Sequence, residues 1–189
     1  MEKYKETDDD LDIIDENKEK TGEIKGYTEI HKNGLLHLTV HVWLMNKNGE
    51  FLLQKRSKEV AVFPEKWDVS ATGHVNSGQS SLEGAQMEMM EELGLYLPLD
   101  NFEYLFTVRE NVVFDNGEYI HKENALNDIY LVHLDVSTED LKLAKEEVSE
   151  IKWIKRSDLE KMAKGGDDTV TPHIDEYKKL LEYLSIDKI

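Results

Sequence analysis

The sequence predicts an α/β sandwich, and three observations lead to this prediction. Several β-rich segments are separated by short turns, among them a strong hairpin turn at residues 46–49 (NKNG). Between residues 80 and 94 the apolar residues recur at helical spacing instead. A second amphipathic helix is predicted near the carboxyl end, at residues 175–184.

The first half of the chain combines an acidic leader with a series of predicted strands. Residues 1–20 are dominated by charge, yet the apolar group at residues 11–14 leaves open a short edge strand beside the reading as a frayed leader. Residues 21–189 form the predicted domain, whose core starts near Tyr27 after a turn at residues 19–22. The predicted elements are strands at residues 36–44 and 50–56 and a loop at residues 60–67, after which residues 68–73 lead into a further loop.

Strands and helices also alternate in the second half of the chain. Residues 115–117 (DNG) have the composition of a turn between two strands. Ser157 is the expected N-cap of the first helix in this half. The predicted elements are strands at residues 102–113, 128–134 and 151–154, followed by helices at residues 157–163 and 175–184.

Composition restricts the classes of function. The 189 residues suggest one domain, and the net charge of −17 argues against binding nucleic acid polymers or anionic membranes through clustered Lys and Arg. The chain has no cysteine, which excludes disulfides, Cys nucleophiles and Cys–zinc sites. No apolar run approaches the ~20 residues of a membrane span, so a cytoplasmic protein is the default expectation.

Three carboxylates in the predicted central helix are the strongest chemical signal. Glu88, Glu91 and Glu92 stand at i, i+3 and i+4, so they share one helical face. Like charges this close repel, and a divalent cation such as Mg²⁺ converts the repulsion into binding. A solvated acidic face is the alternative for these three residues taken alone.

The sequence also predicts where this helix begins and ends. Ser80 and Glu83 have the spacing of a capping box at its start. Gly94 is placed to end it as a C-cap.

The full segment at residues 73–95 resembles the Nudix box, G-x5-E-x7-R-E-U-x-E-E-x-G-U, where U is a bulky apolar residue. The resemblance implies the Nudix fold, a mixed β-sheet sandwiched between α-helices. Two positions depart from the pattern, because Gln79 replaces its first Glu and Met87 replaces its Arg. The positions in register are Gly73, Glu88, Met89, Glu91, Glu92, Gly94 and Leu95.

Three motifs lie partly or wholly outside the box: H-x3-H-x-W at residues 37–43, LLQKRS at residues 52–57, and P-x2-W-D-x-S-x2-G-H at residues 64–74. Together they resemble the isopentenyl-diphosphate isomerase-like branch of the family. The resemblance implies that His31, His37 and His74 correspond to three metal-binding histidines. Thr72 occupies the place of the catalytic Cys of the isomerases. Their E-N-E-type motif is matched to residues 126–128, so that Leu126 replaces one key Glu and Asp128 shortens the other. Isomerase activity is therefore not expected. For the histidines, burial or surface exposure without any metal remains the alternative.

The sequence thus predicts a Mg²⁺-dependent hydrolase, with Mn²⁺ as a substitute metal, that cleaves a diphosphate linked to another moiety. Glu88 and Glu92 are the preferred metal ligands and Glu91 is a third ligand or positions water, while the Gly73 carbonyl completes the site by resemblance. Candidate substrate contacts are Lys55, Arg56 and His74, and weak candidates for a general base are Glu123 and Asp128.

Several alternatives stay open at this stage. An isomerase-like enzyme and a catalytically weak binding module for nucleotides or diphosphates are the competing functions, and a homodimer is not excluded. Trp43, Trp67 and Phe63 are available to stack on the substrate's second half, although each is also suited to the core.

Overall fold

A mixed seven-stranded sheet forms the centre of the molecule, which is a computed structural model describing residues 10–186. Its main path follows the order β5-β4-β3-β8-β7, while β6 pairs with β3 and β9 pairs with β4. Strands β3 and β8 run parallel, and the other pairs are antiparallel. The strands of this sheet are β3 (His37–Met45), β4 (Phe51–Arg56), β5 (Trp67–Asp68), β6 (Ala71–His74), β7 (Phe102–Asp115), β8 (Ile120–His133) and β9 (Val148–Ile154).

Helices cover both faces of this sheet. One core contains Val40, Val42 and Leu44 from β3 and packs against helix α2 (Ser81–Leu93). The core on the other face is formed around Trp43 and packs against α3 (Arg156–Met162) and α4 (Ile174–Ile186). The predicted fold class, a mixed sheet between helices, is confirmed.

Helix α2 starts and ends where its sequence predicts. The Ser80 hydroxyl accepts a hydrogen bond from Glu83 N, and the Glu83 carboxylate accepts one from Ser80 N. Gly94 ends the helix at φ 71°, a left-handed conformation that glycine adopts without steric cost. These caps hold the acidic face of α2 in a defined position beside β6.

A small second sheet and an unpredicted helix precede the main sheet. Strand β1 (Asp10–Ile14) pairs with β2 (Lys20–Gly26), so a strand does lie within the leader, while residues 1–9 lie outside the described residues. The turn between them lies at residues 15–19 rather than 19–22, because the Asp15 carboxylate accepts hydrogen bonds from Asn17 N and Glu19 N. Helix α1 (Tyr27–Asn33) follows directly.

Two further boundaries differ from the predictions. Strand β8 starts at residue 120 instead of 128, because residues 120–127 pair with β7 along a long hairpin. The N-cap of α3 is Lys155, whose backbone N–H is accepted by Asp158, so the assignment of this role to Ser157 was wrong. Within residues 10–186, no helix is long and apolar enough to cross a membrane.

Candidate active site and metal centre

One cleft brings together side chains from six strands of the main sheet, helix α2 and the segment before α4. Its wall is mostly polar on one side and apolar around the loop at residues 60–63. The acidic lining residues are Asp68, Glu92, Glu110, Glu123 and Glu147, the basic ones are His41, Arg56, His74 and His173, and the apolar ones are Val60, Val62, Phe63 and Val112.

Histidines gather around the Glu123 carboxylate at one end of this cleft. Nε2 of His37 lies 3.1 Å from Oε1 of Glu123, while Nε2 of His31 and Nε2 of His121 lie 3.3 Å and 3.2 Å from Oε2. Nε2 of His74 lies 3.3 Å from Nε2 of His31. The possible ligand atoms of His31, His37, His74 and Glu123 lie within 4.8 Å of one another, which brings residues from α1, β3, β6 and β8 to one point.

Backbone contacts orient two of these rings. Nδ1 of His31 lies 2.8 Å from the Tyr27 carbonyl, and Nδ1 of His37 lies 3.0 Å from the Leu35 carbonyl. Because a carbonyl oxygen only accepts, each Nδ1 carries the hydrogen, and a neutral ring turns its Nε2 lone pair toward Glu123. Backbone or carboxylate contacts to the second ring nitrogen are typical of metal-ligating histidines.

The residues present fit a bound metal ion. Buried Nε2 of His37 and Oε1 of Glu123 have no hydrogen-bond partner, and a cation between them would satisfy both. Burial and the neighbouring His37 hold the pKa of His74 well below its usual range, which favours the neutral, ligating form. Three imidazoles and a carboxylate suit zinc, iron or manganese better than Mg²⁺.

The acidic residue of this cluster lies three positions before the motif assigned from sequence. Glu123 takes part, whereas Leu126 is buried in β8 and Asp128 accepts hydrogen bonds from Lys18 Nζ and Thr107 Oγ1, at 2.9 Å and 2.6 Å. Asp128 does not line the cleft, so its assignment as a general base is corrected. With Glu123 as the first residue of the E-N-E-type motif, Ala125 occupies the third position.

The carboxylates of α2 separate into two groups. A Cβ added to Gly73 would stand 2.0 Å from Oε1 of Glu88, so only glycine lets Glu88 approach β6. Glu92 is buried, and its Oε2 accepts hydrogen bonds from Gln54 Nε2 and Thr72 N, both at 2.9 Å. Glu91 is exposed. The structure therefore turns Glu88 and Glu92 toward β6 and leaves Glu91 at the surface.

A second acidic residue faces Glu92 across the cleft. Burial raises the pKa of Glu92 to about 8, and the nearby Glu147 carboxylate adds to the rise. Glu147 lies before β9, outside the box, and no motif marks it in the sequence. Two carboxylates that repel across a cleft favour an oxygen-preferring cation between them.

Of the three predicted substrate contacts, two line the cleft and one does not. Arg56 lines the cleft, with its Nε donating to the Val62 carbonyl at 2.7 Å and its Nη1 to Asp68 at 3.4 Å, and His74 lines the cleft beside Gly73. Lys55 does not line it, because its amine is paired with Glu150 at 2.9 Å.

The three candidate stacking aromatics also take different places. Only Phe63 lines the cleft. Trp43 is buried in the core, and the ring of Trp67 is covered by the Lys152 amine, 3.7 Å from the ring centroid.

A second histidine group lies deeper in the cleft and was missed by sequence reasoning. Nδ1 of His41 lies 2.7 Å from Oε2 of buried Glu176, and Nε2 of His173 lies 3.3 Å from Oδ1 of Asp68. Burial opposes charge on His173, but Glu110 and Asp68 raise its pKa to about 10, so it is an imidazolium at neutral pH. The residues of this group are far apart in sequence. The one sequence signal is that His37 and His41 stand four positions apart on a strand and therefore point to the same face.

Comparisons with known proteins identify similar chains. The family model described as NUDIX domain matches residues 35–174. The chain is 36% identical over 179 residues to Nudix hydrolase 3 of Arabidopsis thaliana, covering 92% of this chain but only 23% of that protein. It is 32% identical over 159 residues to an uncharacterized Nudix hydrolase of Listeria monocytogenes, covering 84% and 87% of the two chains.

Other similarities concern a second activity and the fold. Isopentenyl-diphosphate isomerases are also among the similar proteins. The crystal structure of DR0079 from Deinococcus radiodurans has a TM-score of 0.68 at 19% identity, covering 90% of this chain and 98% of that one. At this identity the match concerns the fold alone.

Proposed function

The chain belongs to the Nudix hydrolase family, and from that premise we propose that it is a metal-dependent hydrolase of a diphosphate linked to another moiety, such as a nucleoside diphosphate derivative. Mg²⁺, or Mn²⁺ in its place, is the proposed cofactor at the carboxylates of α2. The chain spans only part of Nudix hydrolase 3, so the activity proposed is that of the domain present here.

The observation that carries the proposal is that oxygen ligands and a guanidinium share one cleft. Glu92, Glu147 and Arg56 all line it, and Glu88 lies against Gly73 at its edge. A diphosphate is a polyanion, and its oxygens are bound by divalent cations and by guanidinium groups.

The roles of the chain's own residues follow from this arrangement. Glu88, Glu92 and Glu147 would hold the cation, while Arg56 would donate to phosphate oxygens. A bound divalent metal supplies charge neutralisation of the diphosphate and orients a water for attack at phosphorus. The Gln54 and Thr72 donors keep the Glu92 carboxylate in place. Glu91, which is exposed, is proposed only to position solvent near the site.

The apolar side of the cleft is suited to the second half of the substrate. Val60, Val62, Phe63 and Val112 form this side, and Phe63 is held at φ 47°, a strained conformation for a residue with a side chain. A base or an apolar tail attached to the diphosphate fits such a surface.

A second candidate function, the isomerase, is favoured by one observation. The cluster of His31, His37, His74 and Glu123 matches the histidine and glutamate metal site that the resemblance implies for isomerases. The acid–base pair needed for proton transfer is lacking, because Thr72 replaces the Cys and Ala125 takes the third position of the E-N-E-type motif. The hydrolase is therefore the better-supported proposal.

The decisive experiment is a substrate panel with defined metals. Nucleoside diphosphates, nucleotide sugars and isopentenyl diphosphate are incubated with the protein and Mg²⁺ or Mn²⁺, and released phosphate or monophosphate is measured. Glu92→Gln should lower turnover by orders of magnitude, whereas the matched change at an exposed position of α4, Glu182→Gln, should not.

Each outcome separates the candidate functions. Deuterium exchange into isopentenyl diphosphate in D₂O that is lost in His74→Ala would replace the hydrolase by the isomerase. Binding of panel compounds without any turnover would identify a binding module, consistent with the off-pattern Gln79 and Met87. Full turnover in Glu92→Gln would move catalysis away from α2.

A further inference from the structure

A buried carboxylate–histidine pair forms part of the cleft wall. His41, on β3, lines the cleft, and its Nδ1 lies 2.7 Å from Oε2 of Glu176 on α4. The other oxygen of Glu176 accepts a hydrogen bond from Trp43 Nε1, also at 2.7 Å. Glu176 is 1% exposed and His41 is 3% exposed, so water does not compete for these contacts.

This arrangement selects one tautomer of His41. Trp43 Nε1 can only donate, and it fixes the carboxylate of Glu176 as an acceptor. Nδ1 of His41 therefore carries the hydrogen, and Nε2 keeps a lone pair. Its nearest polar neighbour is Nδ2 of Asn127 at 3.4 Å, an amide that makes a shorter bond of 2.8 Å to Glu110.

Three carboxylates and two cations surround His41. Glu176 from α4, Glu110 from β7 and Asp68 from β5 contribute carboxylates. The His173 imidazolium lies between Asp68 and Glu110, and Arg56 from β4 contacts Asp68. His173 approaches the His41 ring edge-on, with 4.8 Å between ring centroids.

A metal ion is a poor occupant of this second group, although the ligand atoms of His41, His173 and Glu176 lie within 4.8 Å of one another. Both oxygens of Glu176 are already hydrogen-bonded, and the protonated His173 has no lone pair to offer. The pair instead has the composition of a histidine base held by a carboxylate.

We propose that His41 is the general base of the hydrolase and that Glu176 is the positioning residue that fixes its tautomer. The inference rests on the proposed function. In the step, Nε2 of His41 takes a proton from water while the water oxygen bonds to phosphorus. The bond from that phosphorus to the bridging oxygen breaks, and this oxygen leaves with the electron pair on the departing phosphate. The imidazolium formed is neutralised by Glu176 and returns its proton to solvent.

The position of His41 relative to the carboxylate site suits this role. His41 pairs in register with Thr72 on β6, and the Thr72 N–H holds the Glu92 carboxylate. His41 and Glu92 both line this cleft, so a substrate bound in the cleft is accessible to both. His37 of the histidine cluster lies further along β3, four positions or roughly 13 Å of strand before His41.

The test compares pH profiles of kcat/KM at saturating Mn²⁺, using the panel compound that the protein turns over fastest. The variants are His41→Gln and Glu176→Gln, with His133→Gln as the matched control, since His133 is exposed on β8. A general base acts only in its unprotonated form, so the wild-type profile should fall on the acidic side. His41→Gln should lose roughly 10²- to 10⁴-fold in kcat together with this acidic limb.

A separate comparison of variants tests the positioning role of Glu176. In Glu176→Gln, the new amide can donate to Nδ1 and reverse the tautomer of His41, so kcat should fall while KM stays within a few-fold. Glu176→Asp, which keeps an acceptor, should recover part of the activity. Nitrogen-15 NMR of the wild-type imidazole should show hydrogen on Nδ1, and this measurement needs no variant if the buried substitutions impair folding.

The outcomes separate this inference from the proposed function. Turnover in His41→Gln that keeps the wild-type rate and acidic limb would overturn the inference and leave the hydrolase intact. Hydrogen on Nε2 of His41 in the wild-type spectrum would also overturn it. Absence of phosphate release by wild type from every panel compound would overturn the hydrolase and, with it, the role of His41.

Discussion

Replacing His37 with glutamine should remove most of the thermal stabilisation that a transition metal gives the protein. His37 is fully buried, its Nδ1 contacts a backbone carbonyl, and its Nε2 lies 3.1 Å from Glu123 with no hydrogen-bond partner. A metal that binds only the folded state at 100 times its dissociation constant stabilises that state by about 2.7 kcal/mol. For a chain of this length, 1 kcal/mol raises Tm by roughly 2–4 °C. The metal should therefore raise the wild-type Tm by roughly 5–11 °C.

The variant should respond far less. Loss of a residue that merely orients a ligand weakens metal binding by ~10- to 100-fold, so loss of a ligand should cost at least the upper value. At the same metal concentration the stabilisation then falls to about 0.4 kcal/mol. Scanning calorimetry with Zn²⁺, which suits the imidazole ligands of this cluster, measures each variant's shift against its own metal-free Tm. His133→Gln, an exposed histidine on β8, is the control and should keep the full shift. A full shift in His37→Gln as well would refute the assignment of the metal to this cluster.

Three further predictions concern the box and the deeper histidine group. Gly73→Ala should lower turnover strongly, because the added Cβ would stand 2.0 Å from Oε1 of Glu88 and displace that carboxylate. The metal-induced Tm shift of the histidine cluster should stay in place. Unchanged kcat would show that Glu88 is not needed at β6. The His173 pKa is raised from 6.5 to about 10, so the stability it contributes is present below pH 6.5 and is lost as pH rises toward 10. In denaturant titrations between pH 6 and 10, His173→Gln should flatten this decline in the free energy of unfolding. The variant should be less stable than wild type by roughly 3–5 kcal/mol at the acid end. An unaltered pH dependence of stability would contradict this role of His173. Restoring the box pair with Gln79→Glu and Met87→Arg should change stability by no more than ~1 kcal/mol, since Met87 is 38% exposed; an unfolded double variant would show that this position packs tightly.

Local sequence determined the elements whose signals are local. The capping box at Ser80 and Glu83 and the Gly94 C-cap are satisfied by residues within one turn, so helix α2 could be predicted with both its ends. The hairpin at residues 46–49 was readable for the same reason, since turn residues determine its geometry. The box, with Glu88 and Glu92 four residues apart, needed only helical periodicity to place both carboxylates on one side.

Boundaries set by long-range pairing could not be read in this way. Most of residues 120–127 are polar and the segment was not predicted as a strand, yet it extends β8 because β7 pairs with it. The choice of Lys155 over Ser157 as N-cap depends on where the chain leaves β9, which is a property of the sheet. The turn at residues 15–19 likewise depends on the Asp15 carboxylate accepting two backbone N–H groups.

The candidate active site was also only partly predictable from the sequence. Sequence and family resemblance placed His31, His37 and His74 together, but the carboxylate beside them was assigned three residues too late. Along a strand, a shift of an odd number of residues moves a side chain to the other face of the sheet, so this assignment depended on the exact register. Only the tertiary structure decided that Glu123 faces the histidines and that Asp128 is paired with Lys18. The contact between His41 and Glu176 spans 135 positions and carries no spacing signal. Its existence depends on α4 packing over β3, so the polar wall of the cleft was determined by the packing of helix on sheet.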